Sequence, residues 1–244
     1  MSNLNVEDYF EPNSIPFVVF GTIILFVSWM FFNGGSTLDM FASRNNGISK
    51  IMMVTMLSGT TGGAIATFLK PVIMKEENKH NKYDVGATTN GILAGLVAIT
   101  GVCDRVEPWG AFIIGILSAF VYCSSCRLLK TLNIDDPIEA APVHGFTGFF
   151  GLIAVGIFDN QYGLLSFNEG CLSYFAIQIV GALVIITWTL VMSGAYFFIM
   201  RKSGLLRVPL IEEVLGLDIA EHGVNTPKFK DKLNESFVRR RSIV

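Results

Sequence analysis

His144 is the residue whose chemistry contrasts most with its surroundings. No charged side chain lies between Glu139 and Asp159, so this imidazole belongs to a long apolar segment of the kind that enters a membrane. An ionisable group in such a segment is costly and marks a substrate or proton pathway by default. Because a neutral imidazole both donates and accepts hydrogen bonds, we interpret His144 as a pore-lining or proton-handling residue. The alternative is a histidine that is satisfied by a neighbouring helix.

An acidic stretch before His144 predicts where its helix begins. Asp136 is of a type favoured at the N-cap, Pro137 suits the first helical position, and the carboxylate of Glu139 would face the positive helix end. The pattern predicts a helix over 137–158 with Asp136 as its cap. His144 would then lie about 12 Å along the helix axis, well inside the apolar layer.

A proline interrupts this predicted helix two residues before the histidine. Pro142 has no N–H to donate, so the carbonyl of Ile138 loses its partner within the helix. We therefore expect a local kink just before His144.

A second group of candidate residues ends the first apolar segment. Trp29 and Phe32 lead into the amide of Asn33 and the hydroxyl of Ser36. Aromatic faces attract cations, so this group is a candidate for holding a small cation at the outer mouth of a pathway. Aromatic residues near a span end are more often an interfacial belt, which is the competing interpretation.

Composition indicates a membrane protein. The chain has 244 residues, of which 51% are hydrophobic and 16% charged, against about 25% charged in ordinary soluble domains. No basic groove interleaved with aromatic residues indicates nucleic-acid binding. No catalytic motif indicates an enzyme, and we expect no cofactor. Cys123 and Cys126 form a CxxC pair, which we interpret as two small residues on one helix face and not as a metal site.

Charged residues separate the apolar segments, and the lengths of these segments predict an all-α protein with six transmembrane helices. A polar segment, 1–15, precedes a membrane domain over 16–202, and a polar cytoplasmic tail, 203–244, follows it. The predicted spans are 16–33, 51–69, 85–103, 108–126, 137–158 and 170–200. The last span is long enough to require a strong tilt or an interfacial start.

The distribution of basic residues predicts the orientation in the membrane. With a cytoplasmic N-terminus, nine Lys and Arg residues fall on the inner side and three on the outer side, as the positive-inside rule favours. The inner residues are Lys70, Lys75, Lys79, Lys82, Arg127, Lys130, Arg201, Lys202 and Arg207, and the outer ones are Arg44, Lys50 and Arg105. Both termini are therefore predicted to be cytoplasmic.

Several motifs, in order along the chain, resemble the ammonium transporter family, which includes the methylammonium permeases and Rhesus proteins. They are the aromatic stretch 29–36, the glycine-rich stretch 90–100 with Cys103, Pro108-Trp109-Gly110-Ala111 with Ile114-Gly115, Asp135-Asp136-Pro137, Val143-His144-Gly145, Gly156-Ile157-Phe158, Gly216-Leu217-Asp218 and His222-Gly223. Together these motifs are highly specific.

The resemblance implies a fold and a function. Family members have eleven spans, built as two inverted five-helix repeats plus a long tilted helix, and they form trimers with one pore per subunit. The six segments here resemble the second repeat and that final helix. The resemblance implies transport of ammonium or ammonia across a lipid bilayer, by default the plasma membrane, although internal membranes are open.

The resemblance also implies roles for the candidate residues. His144 would be the second of two pore histidines, Phe32 one of two gate phenylalanines, Ser36 a contact of the external ammonium site and Trp29 a pore-lining aromatic. Asp136 and Glu139 would lie near the cytoplasmic mouth. The region of His222 would belong to the tail that couples neighbouring subunits.

The chain departs from the family pattern because its first repeat is absent. Pro142 also stands where a small or flexible residue is usual, and Val224 where an acid is usual. Three interpretations follow. A complementary chain supplies the missing half, or the sequence is a truncated part of a longer one, or the protein is a non-transporting structural subunit of a larger membrane assembly. An ammonium sensor would need an output domain, for which the tail is too short.

Overall fold

The computed structural model describes residues 14–38, 47–74 and 84–209, together with Glu212, Leu217 and Glu221. These residues form helices and connecting turns, without strands, which confirms the predicted all-helical class. The helices are α1 (Ile15–Gly35), α2 (Gly47–Met74), α3 (Val85–Ile99), α4 (Pro108–Thr131), a π-helical turn (Ala141–Phe146) that continues into α5 (Thr147–Phe158), a 3₁₀ turn (Leu164–Ser166) and α6 (Cys171–Lys202).

Five of the helical segments that the structure describes are long and apolar enough to cross a membrane. The third predicted span is shorter than expected, since α3 has 15 residues and ends at Ile99, where turns over 100–105 replace it. Its length of about 22 Å is less than the roughly 30 Å of a hydrocarbon core. The first, fourth and sixth helices agree with their predicted segments to within a few residues.

Two buried lysines explain why α2 extends beyond the predicted segment 51–69. The Nζ atom of Lys50 lies 2.7 Å from Glu107, and that of Lys70 lies 2.7 Å from Glu139. Because each lysine is paired, the helix accommodates both charges inside its length. The two lysines are roughly 30 Å apart along the axis, which is about the thickness of a hydrocarbon core.

These ion pairs define the two ends of the bundle, which we call the Glu107 end and the Glu139 end. Helices α2 and α4 run from the Glu107 end to the Glu139 end. Helix α3 runs the opposite way, since Asn90 near its start bonds Glu139. Helix α1 runs parallel to α3, because Trp29 near its end bonds Thr100 just beyond α3. The α5 helix also runs from the Glu139 end to the Glu107 end.

Small residues allow α2, α3 and α4 to approach one another closely. A Cβ atom added at Gly62 of α2 would lie 2.6 Å from the carbonyl oxygen of Gly91 in α3. One added at Gly115 of α4 would lie 2.6 Å from the carbonyl oxygen of Ser58. The Ser58 hydroxyl donates to the carbonyl of Gly95, 2.9 Å away. Backbone contact of this kind is how membrane helices pack where lipid removes the hydrophobic drive.

The chain divides into two compact units within α6, Met1–Val184 and Ile185–Val244. In the first unit, Phe175 packs against Gly156, where an added Cβ would lie 2.7 Å from the phenyl ring. In the second unit, α6 continues to Lys202 and exposes apolar side chains such as Trp188 and Leu190. A helix that is apolar on all sides is typical of a membrane span.

We expect Gly62→Ala to destabilise the protein by about 1–3 kcal/mol, because the added methyl group meets backbone that cannot rotate away. Thermal unfolding of the detergent-solubilised chain measures this loss. Gly21→Ala in α1 is the matched control, since its added Cβ meets no heavy atom within 4 Å. Equal shifts in melting temperature for the two variants would contradict the proposed close contact.

Candidate functional site

The helix that carries His144 begins at Ala141 and not at Pro137, so the predicted start is wrong. Asp136 still caps this helix, but from one turn earlier than an N-cap residue. Its carboxylate accepts hydrogen bonds from the backbone N–H groups of Ala140, at 2.9 Å, and Ala141, at 2.8 Å. His144 therefore lies in the first turn of its helix instead of two turns inside it.

Glu139 is outside the helix because its backbone is left-handed, with φ of 57°. Its side chain points into the bundle, where Lys70 lies 2.7 Å away and Asn90 Nδ2 donates across 2.8 Å. The hydroxyl of Tyr122 also donates to this carboxylate. Burial would raise the pKa of Glu139, but the charge of Lys70 and the three donors hold that pKa below its usual value. Glu139 is thus a paired anion and not a free acid at a helix start.

Pro142 produces no kink in the helix interior, because it lies in the first turn, where a missing N–H costs nothing. The predicted kink is therefore wrong. The chain instead forms a single π-helical turn, in which the N–H of Thr147 bonds the carbonyl of Pro142. The Thr147 hydroxyl donates to the carbonyl of Val143. Such turns are rare and frequently occur at functional sites.

His144 is exposed, together with Gly145 and Phe146 on the same turn. Its ring forms no hydrogen bond with any residue that the structure describes. A neighbouring helix of this part of the chain therefore does not satisfy it, and the imidazole is available to a group outside.

Trp29 is held in place by its ring nitrogen. The indole Nε1–H donates to the hydroxyl of Thr100 across 2.8 Å. The ring meets Phe32 edge-on, with ring centres 6.4 Å apart. Phe32 is 62% exposed, so its face is available on the surface of this chain.

Asn33 and Ser36 differ in orientation. Ser36 is exposed and donates its hydroxyl hydrogen to the carbonyl of Phe32 at 2.7 Å, which leaves its oxygen lone pairs open. Asn33 is buried, and its amide donates to Thr55 of α2 across 3.0 Å. The amide of Asn33 therefore joins two helices and is not presented at a mouth.

Helix α3 connects the two groups of candidate residues. Asn90 contacts Glu139 near the start of α3, and Thr100 contacts Trp29 just past its end, roughly 15 Å away along the axis. The candidate residues consequently form two groups. Trp29, Phe32 and Ser36 lie toward the Glu107 end, whereas Asp136, Glu139 and His144 lie toward the Glu139 end.

The sequence interpretation missed two of the three partners of Glu139. The predicted span 51–69 leaves Lys70 just outside the helix, although it lies inside α2 and is paired. Tyr122 lies within the uncharged predicted span 108–126, where nothing in the sequence marks it as a partner. Asn90 was identified only as part of a family motif. The available signal was a lysine that ends an apolar run directly before Pro71, where a helix would normally stop.

The CxxC cysteines and His222 add little evidence for a functional site. Cys123 and Cys126 are buried in α4 as free thiols. A cleft of about 450 Å³ opens at the Glu139 end, where its walls include Cys126, Lys130, Asp136 and Glu139. His222 lies outside the described residues, and so does most of the predicted tail.

A second polar cluster closes the Glu107 end. Asp159 directly follows α5 and is 1% exposed. It accepts hydrogen bonds from Arg105, at 3.4 Å, and from the hydroxyl of Tyr174, at 3.2 Å. Asn160 beside it donates to Glu107 at 2.8 Å. This cluster joins the turns that precede α4 and follow α5.

Residues 2–226 match the model of the Ammonium Transporter Family. The chain belongs to this family. The resemblance carried by its motifs is thereby confirmed.

Relatives and solved structures agree with this assignment. The chain is 38% identical over 234 residues to Ammonium transporter Amt2 of Archaeoglobus fulgidus, covering 90% of this chain and 48% of the relative. It is 37% identical to Ammonium transporter 3 of Dictyostelium discoideum, covering 86% of this chain and 50% of the relative.

Among solved structures, the fold is similar to that of a Sensor Amt Protein, with a TM-score of 0.74 and 32% identity over 86% of this chain and 49% of that one. It is also similar to Mep2 of Saccharomyces cerevisiae, with a TM-score of 0.70 and 26% identity over 82% of this chain and 46% of that one. The chain spans about half the length of the proteins it matches.

We expect Asp136→Ala to cost about 0.5–2 kcal/mol of stability, because two backbone N–H groups lose their acceptor. Chemical or thermal unfolding of the detergent-solubilised chain checks this. Asp135→Ala is the neighbouring control: Asp135 is exposed and should change stability by less than about 0.5 kcal/mol. Equal losses would show that Asp136 does not cap the helix.

Removing the Thr100 hydroxyl, which accepts the indole hydrogen bond, should let the Trp29 ring change its orientation. We expect Thr100→Val to cost about 0.5–1.5 kcal/mol and to shift the emission of Trp29 to longer wavelength, as the indole turns toward water. The emission is measured with Trp109 and Trp188 replaced by Phe. Thr60→Val is the control, since that exposed hydroxyl bonds only carbonyls of its own helix. An unchanged spectrum in Thr100→Val would contradict the assigned hydrogen bond.

Proposed function

We propose that this chain supplies one half of a membrane pore for ammonium or ammonia, the half that corresponds to the second repeat of the family. The observation that carries this proposal is the exposed imidazole of His144, which bonds none of the residues that the structure describes and lies at the start of a membrane-length helix. An imidazole in that position needs a partner surface to line a pathway. The half-length match to ammonium transporters supports the substrate.

Recruitment of the cation takes place at the Glu107 end. Because the Ser36 hydroxyl hydrogen is used by Phe32, its oxygen can accept a hydrogen bond from ammonium. Because the N–H of Trp29 is used by Thr100, its ring face remains to attract the cation. The exposed Phe32 lies next on this face and acts as a gate. Asn33, bonded to α2, holds the stretch in place.

After deprotonation, the substrate passes His144. A neutral imidazole in a dry pore donates or accepts a hydrogen bond without adding charge, which favours a small uncharged molecule. Asp136 and Glu139 stand beyond it at the Glu139 end, which we assign to the cytoplasmic mouth. Both termini are then cytoplasmic, as the excess of basic residues on that side favours. We propose the plasma membrane, which is the family default, as its location, with an internal membrane as the alternative.

The exposed side chains of His144 and Phe32 can line a pathway when a second surface faces them. A complementary membrane chain that resembles the first repeat would supply the other wall, and the completed units would assemble as trimers. The strongly apolar outer surface of α1, where Phe17 is 77% exposed, is suited to contact with lipid or with such a partner.

Transport is tested in liposomes that contain the full chain, alone and co-reconstituted with the first repeat of an ammonium transporter. We expect an ammonium pulse to produce a current or a change of internal pH only when both halves are present. His144→Ala should reduce this response at least tenfold, because the pathway loses its only titratable group within α5 and the turn before it.

Thr60→Val, whose hydroxyl bonds only its own helix, is the control variant and should leave the response unchanged. The absence of any ammonium response, alone or with a partner half, would overturn the transport proposal and favour a structural subunit. An unaltered response in His144→Ala would remove the pore role of that residue alone.

A further inference from the structure

One carboxylate joins three helices at the base of the turn that carries His144. Glu139 receives Lys70 from α2 at 2.7 Å, Asn90 from α3 at 2.8 Å and the hydroxyl of Tyr122 from α4. The Lys70 side chain is only 9% exposed and Tyr122 is fully buried. We call these four residues the Glu139 cluster.

The backbone of Glu139 is in a conformation that its side chain disfavours. A φ of 57° belongs to the left-handed region, which glycine and asparagine adopt far more readily than glutamate. Such a residue persists only where its surroundings over-determine its position. The three partners of the carboxylate supply that constraint.

The turn of His144 depends directly on Glu139. The N–H of Glu139 donates to the carbonyl of Asp136 at 3.1 Å, and its own carbonyl accepts the N–H of Val143 at 3.0 Å. Asp136 in turn caps the two amides that begin the helix. The orientation of residues 140–146 is therefore set by where the Glu139 carboxylate is held.

We propose that Lys70 is a positioning residue for His144, which acts by anchoring Glu139 and thereby the π-helical turn. This inference rests on the proposed function, because it explains how the imidazole of His144 is aimed. Tyr122 and Asn90 are neutral donors, so Lys70 alone within the cluster balances the partly buried charge of Glu139. Asp84 lies 3.5 Å from the same lysine, but it is 40% exposed and solvated.

Without the charge of Lys70, the Glu139 carboxylate would be a partly buried anion, 22% exposed, without a counter-charge in the cluster. The cleft of about 450 Å³ beside Glu139 offers a route into water. If the carboxylate moved into this cleft, the Glu139 backbone could leave its left-handed conformation. The start of the His144 helix would then lose its fixed position. The other end of the bundle would not change.

Hydrogen–deuterium exchange of the full chain in nanodiscs, followed by mass spectrometry, tests this inference without measuring transport. We expect Lys70→Met to accelerate exchange at least tenfold in peptides that cover 138–147, with no change in peptides that cover 159–163. Lys70→Arg retains the charge and should keep exchange in 138–147 within about threefold of the parent chain.

Lys50→Met is the matched control, because Lys50 is an equally buried lysine of the same helix that pairs with Glu107 at 2.7 Å. It should change exchange near the Glu107 end and leave 138–147 unaltered. The double variant Lys70→Met/Glu139→Gln removes both charges and should return exchange in 138–147 toward that of the parent chain.

Unchanged exchange in 138–147 for Lys70→Met would overturn the inference, as would equal acceleration there in Lys50→Met. Uniform acceleration over the whole chain, unrescued by Lys70→Arg, would assign Lys70 a general role in stability and would also overturn it. If Lys70→Met does not fold, Lys70→Gln, which also removes the charge, replaces it: faster exchange confined to 138–147 supports the inference, and unchanged exchange contradicts it. The exchange experiment does not measure transport. A failed liposome assay would therefore count against the proposed function and not against the positioning role of Lys70.

Discussion

Pairing of two buried lysines with carboxylates is the constraint on which this bundle depends. A charged side chain removed from water is costly unless a counter-charge and further hydrogen bonds accompany it. Helix α2 contains Lys50 near one end and Lys70 near the other, and each meets its carboxylate at 2.7 Å. The partners, Glu107 and Glu139, lie directly before α4 and before the turn of His144. Pairing of the two α2 lysines with these carboxylates therefore places the starts of two other helical segments at opposite ends of the bundle.

Helix α3 links both groups of candidate pathway residues to the ion-paired helix α2. It is too short to reach both membrane surfaces, yet Asn90 in its first half bonds Glu139, and Thr100 just beyond its end bonds Trp29. The close approach of α2 to α3 at Gly62 keeps these contacts in register. The aromatic group and the histidine turn are consequently held by one rigid element, although they belong to segments far apart in the chain. Rigid support of this kind suits residues that must act in sequence along a path.

Two candidate pathway residues lie on the surface of the chain. His144 and Phe32 are exposed, and the structure buries the neighbouring Asn33 instead. The family to which the chain belongs has members about twice its length, such as Amt2 of Archaeoglobus fulgidus. Exposed aromatic and imidazole side chains on two membrane-length segments can line a pathway when a second surface faces them. We therefore regard the partner half as part of the functional unit that we propose.

Long uncharged runs in the sequence were sufficient to predict the helices, because apolar length is the main requirement for crossing a bilayer. The same runs identified His144, since a lone imidazole contrasts with everything near it. Local signals failed where distant residues compete with them. Asp136 and Pro137 favour a helix start at 137, yet the helix begins at 141, after Glu139, which has a left-handed backbone and pairs with Lys70 of another helix. Such a pairing depends on how helices pack, and no local pattern in the chain encodes it.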